Sequence, residues 1–487
     1  MDHQKGIIKA ALFIAIAMAL IYGRGLFGPF LYDDDAYVVE NPSVQSPALA
    51  LKSFGNPRAI DDGHFTQQVY RPLIPVVYSM VHALFGMRPV GFHLLNLLLH
   101  IINALLIFTL LRRLSKQDGV AFIAALWWAV HPVHVESVQW ISGLDDVLCP
   151  TFVLGALLLF ISGKKALSAL CFVLGLLSKE VGVMGAAFIF VAAFAQSDEK
   201  FFGKVKTGII QTIPFALLAL CYVALRIKMV GVVQDPGFWG GSLLATLFTM
   251  SKSFLIYLKL IVLPMGLRIN YLFDPITQLN LVAAFGLAAL LASFAAGIYY
   301  YSKRPLICIG ILWFFVLMFP ASNVIPILAL VGERFLYLPL AGVALILTDI
   351  GAKLTTRRTL FIVMIALVSV ALGATSFARV GVWNDEERFW QDIIEKEPDI
   401  VGYQNNLGAY YAHQQRFKEA EMLFVSVLTN RPTNKVAAQN LAQLYFDTKR
   451  FEQSVDLYRQ LSKKEPENKQ YLKGIKQAKA AMSNNTP

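Results

Sequence analysis

VGFHLLNLLLHIINALLIFTLL, residues Val90 to Leu111, runs for 22 residues without one formal charge. About 20 predominantly apolar residues carry an α-helix across the hydrocarbon of a bilayer. Its polar residues, His93, Asn96, His100 and Asn103, read as polar contacts between helices and not as metal ligands. Runs of comparable character recur at Ile7–Phe27 and Leu360–Phe377. The chain of 487 residues is 56% hydrophobic and only 15% charged, where soluble proteins carry about 25% charged residues. The reading is an all-α, polytopic membrane protein. Its first apolar run exceeds the core of a signal peptide and precedes no small-residue cleavage site, so it is expected to be retained as a helix. Cys149, Cys171, Cys221 and Cys308 all lie in apolar runs, without metal spacing, and no disulfide is expected.

Eleven spans are predicted, at 7–27, 90–111, 119–137, 147–162, 166–178, 181–196, 207–227, 279–301, 306–320, 335–350 and 360–379. Residues 245–263 are apolar too, but Lys252 and Lys259 fall there, and the stretch is predicted to lie at the interface within an outside loop. Cytoplasmic loops carry an excess of Lys and Arg. With the N-terminus inside, those loops hold Lys5 and Lys9; Arg112, Arg113 and Lys116; Lys164 and Lys165; Lys200, Lys204 and Lys206; Lys303 and Arg304; and Lys353, Arg357 and Arg358. The two longest loops, about 28–89 and 228–278, then face outside, as does the C-terminus. A twelfth span at 245–263 would put the Lys303 and Lys353 loops on the wrong side.

From Trp383 onward the composition changes. Pro398, Pro432 and Pro466 are 34 residues apart, NNLGAYY at Asn405 is matched by QNLAQLY at Gln439, and RFKEAE at Arg416 by RFEQSV at Arg450. This period, with small residues at Gly408, Ala409 and Ala442 and aromatics at Tyr411 and Tyr445, is the tetratricopeptide signature. A membrane domain at 1–382 is therefore followed by an α-solenoid at 383–487. Its repeats fall at about 399–432 and 433–466, after a degenerate half-repeat at 382–398 and before a capping helix at 467–487. The solenoid carries 15 Lys and Arg against 14 Asp and Glu, a net of +1, so the other +10 of the chain's +11 reports membrane topology and not nucleic-acid binding.

FLYDDDAYVVENP, Phe30 to Pro42, places Asp33, Asp34 and Asp35 directly after the first span. Such acids either cap the helix with water or form a base, alone or metal-supported, for an acceptor hydroxyl. Asp61 and Asp62 follow in the same loop. Four further motifs carry charge or polarity to the same face: YRPL at Tyr70, HPVHVESVQWISGLDDVL at His131, LLSKEVG at Leu176 and GERFLYLPL at Gly332. Together with the tetratricopeptide tail, they make the chain resemble the GT-C membrane glycosyltransferases. More closely, it resembles the transmembrane and tetratricopeptide-containing O-mannosyltransferases and their bacterial relatives, over nearly its whole length.

The resemblance implies a GT-C fold and transfer of a sugar from a polyprenyl or dolichyl phosphate to an acceptor on the outside or lumenal face. It implies inversion at the anomeric centre, with an acid of the first outside loop as base. That role falls on Asp33, with Asp34 beside it and Asp35 third, at a variable position. The leaving lipid phosphate needs a cation in a partly dehydrated site. Arg334 is the first candidate because a guanidinium grips phosphate bidentately and stays charged; Arg71 and Lys179 follow. The structural alternatives are an Arg334–Glu333 pair at the interface, a mutual Lys179–Glu180 pair, and an Arg71 that ties its loop to the Asp cluster. Asp146 matches a family acid, although the family's preceding Arg is here Leu144. His131, His134 and Glu136 do not have the HExxH arrangement, Pro132 breaks their helix, and no zinc site is expected; they are expected to hydrogen-bond the neighbouring loop or the acceptor.

The expected function is transfer of a hexose such as mannose to a protein or glycan hydroxyl, in a bacterial inner membrane. The sequence indicates no certain cofactor beyond the polyprenyl-phosphate sugar donor, and a divalent cation stays open as an addition. The solenoid would recruit an acceptor or partner protein. The alternative is a non-enzymatic membrane scaffold whose repeats assemble envelope partners. A transporter would instead place acids within its spans.

Overall fold

The computed structural model describes residues 2–56, 69–231 and 237–485. The acids Asp61 and Asp62 lie outside the described residues. Regular structure is helical, with no strand among the described residues, and the chain divides into two compact units, Met1–Asn384 and Asp385–Pro487.

The first unit opens with α1 (Asp2–Tyr22), which ends in a 3-10 turn over Gly23–Phe27. The outer loop that follows carries two short helices, α2 (Pro42–Gln45) and α3 (Pro47–Lys52), capped by the side chains of Asn41 and Ser46. Then come α4 (Leu73–Phe85), α5 (Pro89–Ser115), α6 (Asp118–Ala129), the short α7 (Val135–Gln139) and α8 (Leu144–Ile161). They continue with α9 (Lys165–Ser178), α10 (Gly185–Gln196), α11 (Phe201–Val230) and α12 (Leu243–Val262). The unit closes with α13 (Leu281–Tyr300), α14 (Pro305–Met318), α15 (Leu340–Lys353) and α16 (Arg358–Trp383).

Eight of these segments are long and apolar enough to cross a membrane, so the protein is an integral, multi-pass membrane protein. Four more apolar helices are shorter, α4, α6, α9 and the segment ending in α10; these twelve include α4 and α12, which are not among the eleven predicted spans, and leave out α15, which is. The predicted span at 119–137 is broken after Ala129, because Pro132 donates no backbone hydrogen bond. Likewise 335–350 splits into a 3-10 turn at Glu333–Leu336 and α15.

Breaks at this depth leave backbone groups that lipid cannot satisfy, and the polar residues of α5 supply the partners. His100 Nε2 pairs with the carbonyl of Ala129 at 3.1 Å, Asn96 donates to Trp140 O at 3.0 Å, and Asn103 donates to Val147 O at 2.8 Å. Spaced three and four apart, these side chains share one face of α5. α5 and α8 are the enclosed helices, whereas α1, α11, α13 and α16 turn apolar side chains such as Leu12, Leu217, Leu291 and Leu367 outward.

α12 meets the length and apolarity of a span, and its contacts are made with the start of α13, the α14–α15 connection and the residue just beyond α6. Ser251 Oγ donates to Ala283 O at the start of α13, and Tyr257 OH accepts from Gly332 N in the α14–α15 connection. The carbonyl of Ile261 reaches His131, just beyond α6. Arg304 and Asp349 pair at the opposite end of α14 and α15, at 2.8 Å.

The second unit holds α17 (Glu386–Lys396), α18 (Val401–His413), α19 (Phe417–Asn430), α20 (Lys435–Asp447), α21 (Phe451–Lys464) and α22 (Lys469–Asn485). Gly408 and Ala442, 34 residues apart, are buried where paired helices meet, while Ala409 is only half-buried. Arg416 pairs with Glu387 and lies over the Tyr411 ring; Arg450 pairs with Glu421 and lies over Tyr445. All three positions are displaced by one period. α17 thus holds the place of a second repeat helix, as expected for a half-repeat.

Candidate functional site

The Asp cluster begins where the chain leaves the first helix. Tyr32 takes a left-handed backbone conformation, φ 58°, which is uncommon for a residue with a Cβ. A single π-helical turn follows, Asp35–Val39, closed by Glu40 N donating to Asp35 O at 2.7 Å. The reversal turns the three carboxylates into different surroundings. Asp34 is buried and saturated: its Oδ2 accepts from Leu31 N at 2.9 Å, and its Oδ1 accepts both Ser142 N at 2.7 Å and the Ser142 hydroxyl. Burial pushes its carboxyl up to about 7, the Ser142 and Leu31 donors oppose this, and the charge of Asp33 adds a small rise. Asp33 is half-buried, and among the described residues nothing hydrogen-bonds its carboxylate. Burial lifts it above the ordinary carboxylate range, and the Arg334 guanidinium partly offsets that. Asp35 is exposed.

Arg334 is held from two sides by Glu136, whose carboxylate accepts both its backbone N–H at 3.1 Å and its guanidinium Nη1. Its guanidinium also lies over Trp140 and Phe335, 5.7 and 5.2 Å from the ring centres, and Tyr32 packs on the Trp140 ring at 5.8 Å. Trp140 therefore links the Asp loop to the arginine. Arg334 does not pair with Glu333, contrary to the structural alternative. Glu333 accepts instead from Tyr271 OH at 2.7 Å and from Arg268 N, and burial raises its carboxyl to about 8 against the opposing Arg379 charge.

A second cluster lies close enough for the Arg334 charge to act on both Asp145 and Asp146. Arg71 binds Asp145 and grips Glu180 with Nε and Nη2 at 3.0 and 2.9 Å, and Lys179 binds Asp146 and Asp145, the latter at 3.2 Å. Lys179 and Glu180 are thus not each other's partners, and Arg71 is tied to the α8–α9 end and not to the Asp cluster. The adjacent side chains point to different partners, Lys179 to the Asp145 and Asp146 carboxylates and Glu180 to Arg71, because Lys179 is extended between α9 and the next 3-10 turn, φ −161° and ψ 143°.

His131 hydrogen-bonds the carbonyl of Ile261 in the last turn of α12 at 3.1 Å, and His134 packs among Trp128 and Tyr337 with ring centres 4.5 and 4.8 Å away. Among the described residues no three His, Cys, Asp or Glu side chains stand together as a metal site, and all four cysteines are free.

The structure brings Asp33, Arg334, Glu136, Asp146, Lys179, Arg71 and Glu180 into one electrostatic neighbourhood and sets Glu333, His131 and His134 behind it as supports. Sequence reasoning missed Ser142, Trp140, Asp145 as a bridge, and Arg226, which approaches Glu180 at 3.8 Å from α11. For Arg226 a signal existed: an ionisable residue within the predicted span 207–227 asks for a partner. Ser142 carried none, since its partner is 108 residues away.

The tetratricopeptide repeat family matches residues 411–478. A protein O-mannosyl-transferase of Caenorhabditis elegans is 24% identical over 87% of this chain and 63% of its own length. The human protein O-mannosyl-transferase TMTC3 is 22% identical over 90% of the chain and 53% of its own length. Human TMTC1, of the same description, is 37% identical over 33% of the chain and 18% of its own length. The chain thus spans less than two thirds of the length of these relatives. No solved structure matches it significantly. The resemblance to the transmembrane and tetratricopeptide-containing O-mannosyltransferases holds across most of the chain.

Proposed function

We propose that the protein is a membrane glycosyltransferase of GT-C type that moves a hexose, mannose by the names of its relatives, from a polyprenyl-phosphate donor to a protein hydroxyl. The reading rests chiefly on one observation: of three adjacent acids, Asp33 alone is half-buried, without a hydrogen-bond partner among the described residues, and under the charge of Arg334. A base needs those conditions, because its lone pair must be unengaged and its basicity higher than that of a solvated carboxylate.

In the proposed reaction Asp33 takes the proton of the acceptor hydroxyl as that oxygen attacks the anomeric carbon. The bond from that carbon to the phosphate oxygen breaks, and the lipid phosphate leaves with the electron pair. One displacement inverts the anomeric centre. Arg334, fixed by Glu136, stabilises the departing phosphate. Arg71 and Lys179 add positive charge from within the Asp145, Asp146 and Glu180 network. Asp34 positions its neighbour by holding the loop to Ser142. The solenoid is proposed to present acceptor segments or a partner protein.

The test uses the purified full chain in nanodiscs, a panel of polyprenyl-phosphate hexoses, and a peptide rich in Ser and Thr. Removal of a general base costs roughly a hundredfold to ten-thousandfold in rate, so Asp33→Asn should lose transfer to that extent while keeping the wild-type melting temperature. Transfer at the wild-type rate in a folded Asp33→Asn chain would refute the assignment.

A further inference from the structure

Among the described residues, Arg226 is the least engaged cation of the site. It stands near the outer end of α11, and its helix is locked there by Tyr222 OH donating to Tyr70 O at 3.0 Å, beside Arg71 in sequence. Its side chain is 21% exposed, and its Nε, buried from solvent, has no hydrogen-bond partner among the described residues. The nearest carboxylate oxygen is Glu180 Oε1 at 3.8 Å, beyond hydrogen-bond reach. The other oxygen of Glu180 accepts two bonds from Arg71, and Asp145 and Asp146 are held by Arg71 and Lys179. Arg71, Lys179 and Arg334 each have a carboxylate in contact, whereas Arg226 has a permanent charge and, among the described residues, no carboxylate within bonding distance. A partly buried guanidinium in that state favours an arriving anion.

We infer that Arg226 is a further binding residue for the phosphate of a lipid-linked ligand, gripping it where Arg71 and Lys179 are already occupied by protein carboxylates. The inference rests on the donor class proposed above and adds a residue that the motifs do not include. The chemistry recognised is a lipid phosphate, whose source is either the polyprenyl donor or a bulk phospholipid headgroup.

The full chain is reconstituted in phosphatidylcholine nanodiscs, and binding of a polyprenyl phosphate is measured by native mass spectrometry, with the unphosphorylated polyprenol as control. A charge-assisted contact is worth enough for Arg226→Gln to weaken polyprenyl phosphate binding roughly tenfold to a hundredfold, with polyprenol binding unchanged. Arg226→Lys keeps the charge but loses the bidentate fork, so a smaller, several-fold loss is expected; where Arg226→Gln does not hold its fold, this variant alone decides. Wild-type affinity in Arg226→Gln, or in Arg226→Lys where that variant decides, overturns the inference and leaves the donor class standing. A wild-type chain that binds polyprenol as well as polyprenyl phosphate defeats the donor class itself. Transfer to phosphatidylglycerol nanodiscs separates the sources: retention of Arg226-dependent binding supports the inference with the polyprenyl donor as the source, and its loss supports it with bulk headgroups as the source.

Discussion

Asp33 and Asp34 are chemically alike, and one turn of backbone gives them different work. Three donors converge on Asp34, so its truncation leaves the Leu31 and Ser142 N–H groups unpaired, at about 1–3 kcal/mol. Asp34→Ala should lower the thermal midpoint measurably, and Ser142→Ala should do so by less, because its backbone N–H stays. The pH dependence follows from the same burial. An Asp carboxyl raised to about 7 binds its proton more tightly in the folded chain than in the unfolded one. The stability this provides is complete below the ordinary carboxylate range and is lost as pH rises through about 7. Glu333, raised to about 8, acts in the same direction. Thermal melts across this range should therefore show a midpoint that falls with rising pH, with a shallower fall in Asp34→Asn; an unchanged slope would assign the titration elsewhere. For transfer, the acid limb of kcat/KM should lie above about 4, the usual carboxylate value, because Asp33 is raised by burial. The sequence made the triplet conspicuous and resemblance ranked its members. The separation of half-buried Asp33 from its saturated neighbour comes from Ser142, 108 residues away, and no local pattern announces that contact.

At the scale of elements, legibility tracks whether a signal is local and periodic. The 34-residue period predicted the solenoid because each repeat must place the same small residue against the next helix. Gly408 shows this: a Cβ there would stand 2.6 Å from the Phe424 ring. Ala442 occupies the equivalent place, fully buried beside Tyr458 and Leu461. Ala442→Leu overpacks that contact by about 1–3 kcal/mol, and hydrogen exchange in the full chain should show α20 and α21 losing protection. The apolar segments were less legible. Hydropathy marks what is buried from water but not where a helix breaks, and the breaks after Ala129 and before Leu340 depend on His100, Asn103 and Tyr337 meeting across α5, α8 and the Gly332 motif. A close crossing positions that motif: a Cβ on Gly342 would fall 2.4 Å from Gly310 O, and one on Gly310 would fall 2.5 Å from Gly342 O. Small residues let membrane helices approach to this distance. Gly342→Val must push α14 and α15 apart, so the expected outcome is a lower melting temperature and weaker phosphate binding through displaced Arg334.

At the scale of the whole membrane unit, the function requires one face, and that requirement turns on α12. With 20 residues its length is about 30 Å, enough to cross, and composition alone cannot separate crossing from lying flat. Packing can. Its first half binds the start of α13 through Ser251 and Ala283, its second half meets Gly332 through Tyr257, and its last turn meets His131. All three contacts lie at the end of the bundle that carries Glu136 and Arg334, away from the Arg304–Asp349 pair. The alternation of Lys and Arg loops leads independently to the same placement, since a crossing α12 would reverse the sides of Lys303 and Lys353. Exposed Ser242 and Met265 bracket the helix. In a chain whose four cysteines are replaced by alanine, Ser242→Cys and Met265→Cys should both react with a membrane-impermeant maleimide added from the side that labels Gln45→Cys. Lys164→Cys and Ser302→Cys should react only after the membrane is opened. Labelling of Ser242→Cys and Met265→Cys from opposite sides would make α12 a span, move the loops after it across the membrane, and separate the predicted sidedness of the basic loops from the geometry that gathers Asp33 and Arg334.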